Sequence, residues 1–216
     1  MTTVYFVRHG TTTSNEAGRF QGITNNPLGE VGLRQADALA ERFRGSGVEA
    51  VYCSPLLRAR QTAEGICRYL DCEPISVDGL REVNGGVLEN HTNAENEARY
   101  PGSMTTLRTD PTHFAPPEGE TGREVWERVH AAVTKLVEKH PNGSIAIVSH
   151  GFALMTYLGT VDRPFEQMKP RMVSNASVTT IVFSSPEKPE LVDYNNTDHL
   201  PEGVRFRSKF WKEDRP

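Results

Sequence analysis

Short apolar runs without polar alternation, each separated from the next by an amphipathic helical stretch, constrain this chain more than any other feature. Val4-Tyr5-Phe6-Val7 and Ile145-Ala146-Ile147-Val148 offer hydrophobic side chains to both sides of an extended backbone, the pattern of strands covered on both faces. After the first run, a polar loop from Gly10 to Gly29 leads to a stripe of Val31, Ala36, Leu39, Ala40 and Phe43, closed by Gly45-Ser46-Gly47. That spacing predicts a helix with one face on a sheet. Val48 to Cys53 reads as a second strand. Ser54-Pro55 then predicts a helix start, with Ser54 as N-cap and Pro55 in the first helical position. Ile75-Ser76-Val77 is a short third strand. Thr121-Gly122-Arg123-Glu124 is a capping box ahead of a stripe of Val125, Val129, Ala132, Val133 and Leu136. Phe152 to Leu158 reads as a short helix, and Val178 to Phe183 and Leu191 to Tyr194 as further strands.

Strands alternating with helices predict an α/β fold: a three-layer α/β/α sandwich with a mostly parallel central sheet. The expectation is one domain over residues 1–216. Between about residues 84 and 117 the periodicity dissolves into Gly, Asn, Thr and Pro, a stretch too long for an ordinary connection, so an inserted cap segment is expected there.

Charge narrows the partners. Lys and Arg number 24 against 28 Asp and Glu, a formal net charge of -4. No basic footprint for nucleic acid is apparent, and no run of about 18 apolar residues suits a membrane span. Neither nucleic acid nor membrane is an expected partner. Met1 to Val7 reads as the start of the fold rather than a signal peptide. Cys53, Cys67 and Cys72 are odd in number and lack a paired zinc spacing, as expected of reduced thiols in a cytoplasmic protein. A homodimer is a base-rate expectation.

Ligands of such sheets bind outside the carboxyl ends of the strands. Arg8-His9-Gly10 follows the first strand, Arg58 lies just after the second, Glu82 follows the third, and Ser149-His150-Gly151 follows the fourth. Taken singly, each has an ordinary structural reading. Placed together, two histidines, two arginines and one carboxyl group suit phosphoryl transfer. Arginine's planar fork binds two phosphate oxygens at once. The helix start at Pro55-Leu56-Leu57 is expected to add backbone N–H groups. An imidazole, His9, can attack phosphorus and carry the group covalently. Arg8, Arg58 and His150 would meet the transition-state charge, and Glu82 would protonate the departing alkoxide.

These residues resemble the histidine phosphatase superfamily, also called the phosphoglycerate mutase-like family, over most of the chain. The resemblance rests on Phe6-Val7-Arg8-His9-Gly10, the Arg19-Phe20-Gln21-Gly22 loop, Pro27-Leu28-Gly29-Glu30 through Gln35-Ala36, Ser54-Pro55-Leu56-Leu57-Arg58-Ala59-Arg60-Gln61-Thr62-Ala63, Gly119-Glu120-Thr121 and Asp198-His199-Leu200. It implies His9 as phosphate acceptor, Arg8 and Arg58 as phosphate ligands, His150 with Gly151 completing the pocket, and Glu82 as proton donor. It also implies substrate contacts from Asn15 and from the Gln21-Gly22 loop, and neither metal nor cofactor. Gly29 stands where the family has a capping Thr. Leu88 and Asn90 replace the Trp and final Gly of its "G-x-W-E-G" element, which blurs the assignment to a branch.

A mutase needs extra cations for its sugar-acid carboxylate, yet between Glu82 and Gly119 only Arg99 and Arg108 are cationic. The expected activity is therefore hydrolysis of a small phosphorylated metabolite. A cofactor-dependent phosphoglycerate mutase is the alternative, and a catalytically silent phosphate-ligand binder a second one. Val83, Val87, Leu88, His91, Tyr100, Met104, Leu107 and Phe114 are the candidates to line the entrance.

Overall fold

The computed structural model describes residues 1–205; the expected domain span of 1–216 runs past them. The elements in chain order are β1 (Thr2–Arg8), α1 (Thr13–Glu16), α2 (Glu30–Phe43), β2 (Ala50–Cys53), α3 (Leu57–Cys67), β3 (Ile75–Ser76), α4 (Asn93–Arg99), α5 (Ser103–Thr109), α6 (Gly122–Lys139), β4 (Ser144–Ser149), α7 (Gly151–Leu158), β5 (Val178–Phe183) and β6 (Pro189–Asn196), with short 3-10 turns between some of them. The six strands form one sheet in the order β3-β2-β4-β1-β5-β6. β1, β2, β3 and β4 pair in parallel, β5 is antiparallel to β1, and β6 is antiparallel to β5. The mixed α/β fold with a mostly parallel sheet is thus as expected.

The period-2 pleat explains why the central strands are apolar throughout. Val4 and Phe6 of β1, with Ile145 and Ile147 of β4, pack into one apolar cluster with Val125, Val129 and Val133 of α6 and Phe152 of α7. Val7, Ala146 and Val148 face the other way, into a second cluster with Leu39 and Phe43 of α2 and Ala59, Ala63 and Ile66 of α3. Two cores, one per face, define the three layers.

Two local expectations are revised. The helix after β2 starts at Leu57, because Leu56 has extended backbone (φ -68°, ψ 134°) and takes the N-cap position; Ser54 Oγ accepts from Leu56 N (3.2 Å). Ser54 and Pro55 therefore precede the helix. Residues 84–117 are also more ordered than their composition suggests. Thr92 caps α4 through a full capping box with Glu95. Leu88, Met104, Leu107 and Phe114 are buried in the same cluster as Val125 and Phe152. Apolar side chains spaced for packing on another element, not for one helix, hid this from periodicity.

The Thr121 box is present: its side chain accepts from Glu124 N, and the Glu124 side chain accepts from Thr121 N. Thr121→Ala should lower unfolding free energy by about 1 kcal/mol, read as a shift in urea midpoint at unchanged slope.

Candidate active site

The parallel pairing of β1 with β4 builds the centre of the site. Arg8 is in register with Ser149, and His9 N donates to Ser149 O (3.0 Å). The residues that follow, His9 and His150, are thus set side by side, with ring centroids 5.1 Å apart. Both are buried.

His9 Nδ1 lies 2.7 Å from Gly10 O. A carbonyl can only accept, so Nδ1 carries the proton and Nε2 keeps its lone pair. Against that lone pair sits Arg58 Nε, 3.3 Å away. Burial first, then the charges of Arg58 and Arg8, hold the His9 imidazole well below its ordinary 6.5, against a raising effect of the Gly10 bond. Burial, Arg58 and His9 do the same to His150. The ring nitrogens of His150 have no hydrogen-bond partner among the described residues.

The arginines are fixed by carbonyl oxygens. Arg8 Nη1 donates to Val173 O (2.7 Å), and its Nε has no hydrogen-bond partner among the described residues. Gly151 permits the close fit, since a Cβ there would lie 3.3 Å from Arg8 Cζ. Arg58 Nη1 donates to Thr24 O and Nη2 to Gly22 O, each at 2.7 Å. Burial pushes both guanidiniums down to about 10, opposed by the nearby Glu82 carboxylate. Both remain cationic at neutral pH. Arg60, two positions on, is turned to the outside and pairs with Glu64.

Glu82 lies at the start of α7. Its carboxylate oxygens accept from Phe152 N and Ala153 N, each at 3.0 Å, and from its own neighbour Val83 N (3.0 Å). Arg8, His9, Asn15, Gln21, Gly22, Arg58, Glu82 and Gly151 line one cleft partly open to solvent. His150 is buried beside His9. Asn15 Oδ1 accepts from Thr12 N (3.1 Å) and Gln21 Oε1 from Thr12 Oγ1 (2.9 Å). The structure thus gathers the expected side chains around one cleft, with His150 beside His9 and not in the lining. The expected helix-start amides are not free: Leu56 N is bound by Ser54 Oγ and Leu57 N by Asn25 Oδ1 (2.7 Å).

Of the eight proposed entrance residues, only Leu107 is among the cleft's lining residues; Val83, Leu88, Met104 and Phe114 are core. Phe152 is a wall residue that sequence reasoning placed only in a helix. Supporting polar residues were also missed. Asn175 Nδ2 donates to His9 O (3.1 Å), Thr62 Oγ1 accepts from Gly10 N (3.0 Å), and buried Gln35 accepts from Thr11 N (2.8 Å). A glutamine at position 35, four residues after Val31 and four before Leu39 on the apolar stripe of α2, was the one signal available in advance.

Two neutral buried imidazoles between two buried cations, beside a carboxyl group, offer the donors that a compact, multiply charged anion would need. The family description "Histidine phosphatase superfamily (branch 1)" matches residues 4–197, and the chain belongs to that superfamily of enzymes. It is 32% identical over 200 residues to the "Uncharacterized phosphatase PhoE" of Bacillus subtilis (strain 168), covering 93% of this chain and 97% of that one. It is 37% identical over 164 residues to the "Probable phosphoglycerate mutase GpmB" of Yersinia pestis (strain Pestoides F), covering 74% and 75%. The solved structure of Bacillus stearothermophilus YhfR superposes with a TM-score of 0.85 at 29% identity, covering 92% of this chain and 99% of that one. Among the described residues no helix is long and apolar enough to cross a membrane.

The buried histidines make stability depend on pH. His9 and His150 are held well below 6.5, and burial and Arg42 lower half-buried His199 to about 4. The unfolded chain therefore takes up protons below 6.5 that the native state does not. Their contribution is complete above pH 6.5 and is lost as pH falls, by about 1.4 kcal/mol per pH unit for each histidine. Denaturant midpoints measured from pH 7 to 5 in phosphate-free buffer should fall, and His9→Asn should remove about one histidine's share of that slope.

Proposed function

We propose that this protein is a metal-independent phosphatase of small phosphomonoesters, working through a phosphohistidine on His9. The observation that carries the reading is the Nδ1 contact to Gly10 O, which leaves Nε2 unprotonated, its lone pair met by Arg58 Nε and turned toward the phosphate-binding guanidinium. In the first step Nε2 forms a bond to phosphorus, the ester P–O bond breaks, and the leaving oxygen takes a proton from Glu82. Water then attacks phospho-His9, gives its proton to the Glu82 carboxylate, and the P–N bond breaks to release phosphate. Arg8, Arg58 and His150 bind the phosphoryl oxygens and the charge they gain. Each role uses a side chain already present, so no metal is required.

Phe20, Leu107 and Phe152 give the cleft an apolar wall. Its remaining cation, Arg19, is engaged by Asn90 O (2.7 Å) and Glu95 (3.6 Å). That lining favours an ester whose organic part carries no further carboxylate. The mutase reading keeps the support of its named relative, and hydrolysis in the cytoplasm remains our preference.

His9→Ala should abolish turnover and ³²P incorporation together; normal turnover would exclude His9 as nucleophile. Glu82→Gln should slow an alkyl phosphate by about 10²–10⁴-fold and p-nitrophenyl phosphate far less, since that leaving group needs little protonation. Equal losses on both would make Glu82 a binding group. With 3-phosphoglycerate in EDTA, phosphate should be released without isomerisation. Fast formation of 2-phosphoglycerate dependent on 2,3-bisphosphoglycerate would establish the mutase instead.

A further inference from the structure

Arg58 is held by a loop that has no regular structure to hold it. Gly22 and Thr24 supply the two carbonyls that fix its guanidinium, yet residues 21–29 belong to no helix or strand. A partly buried carboxylate on the far side of the loop accounts for its shape. Glu89 Oε1 accepts from Ile23 N (2.8 Å) and Gly85 N (3.0 Å). Glu89 Oε2 accepts from Thr24 N (3.0 Å) and from the Thr24 hydroxyl. The carboxylate sits so near Gly22 that a Cβ there would overlap Oε1, and Gly22 has φ +47°, so a side chain is barred on both counts.

One peptide group links the two charges. Its carbonyl, from Gly22, accepts from Arg58, and its N–H, from Ile23, donates to Glu89. Its dipole is aligned between cation and anion, so each bond polarises the other. The Gly85 contact extends the same knot to the loop that follows Glu82.

We infer that Glu89 is a positioning residue for the phosphate-binding site, orienting Arg58 through the Gly22 and Thr24 carbonyls. The inference rests on the reading that Arg58 binds phosphate. Charge and position act in opposite directions here, which makes the role separable. Removing a negative charge near Arg58 would by itself favour an anion, whereas releasing the loop would cost anion binding.

The test is a double-mutant cycle on orthovanadate binding, with kcat and KM for p-nitrophenyl phosphate alongside and folding checked by circular dichroism. Glu89→Ala should weaken orthovanadate about tenfold, the scale of one or two lost charge-assisted bonds. Glu89→Gln keeps one oxygen for Ile23 and Gly85, so it should weaken binding about threefold or less. In an Arg58→Ala background, Glu89→Ala should add almost nothing, as expected for residues acting as a unit. Losses that multiply in the double variant, or tighter binding by Glu89→Ala, would overturn the inference while leaving Arg58 as a phosphate ligand. Unchanged orthovanadate binding by Arg58→Ala would instead overturn the reading of Arg58, and the role of Glu89 with it. Should Glu89→Ala not fold, Glu89→Gln and Thr24→Val take its place in the cycle. Thr24→Val removes only the hydroxyl bond, should weaken binding about two- to fivefold, and is subject to the same criteria in the Arg58→Ala background.

Discussion

The register between β1 and β4 is the constraint on which the site depends. Adjacent parallel strands lie about 4.8 Å apart, and pairing Arg8 with Ser149 carries that spacing into the next residues, His9 and His150. A slip of one residue would turn Phe6 and Ile147 out of their cluster and into the opposite face. The same apolar packing that selects the fold therefore sets the distance between the imidazoles. α2 and α3 on one side and α6 and α7 on the other make the slip costly, since both faces of each strand are committed to a core.

Around that fixed pair the charges are arranged by backbone as much as by side chains. Val173, Gly22 and Thr24 lend carbonyl oxygens to the arginines, while Phe152 and Ala153 lend amides to Glu82. Main-chain groups orient charge without titrating, so the geometry of the guanidiniums persists wherever the fold does. Glu120 adds a further layer away from the cleft. Paired with Arg128 (2.9 Å), it accepts from Asn84 N, and Arg128 in turn donates to Glu82 O (2.8 Å).

Much of this was legible from residue order alone. The apolar runs at Val4–Val7 and Ile145–Val148 are strands because nothing polar interrupts them, and the strand-end rule singles out Arg8, His9, Glu82 and His150 from residue order. What escaped has a physical pattern. Ser54-Pro55 carries the residues of a helix start, but Leu56 keeps an extended backbone and the helix begins at Leu57, which residue identity alone does not show. The segment from 84 to 117 hides its order because short helices bury a few side chains each, below the length at which a period shows. Asn175, Thr62 and Glu89 act through one or two hydrogen bonds to distant loops, and no spacing along the chain marks such contacts.

Arg8 and Arg58 sit deep enough that burial weakens their hold on a proton, and the nearest opposing charges, Glu82 and Glu89, are already saturated with backbone amides. The fold thus keeps two cations out of water with incomplete compensation from its own side chains. On the proposed function, a phosphoryl group would supply the remaining counter-charge. The fold is, in that sense, held in mild electrostatic frustration, and the substrate proposed for it is the group that would relax it.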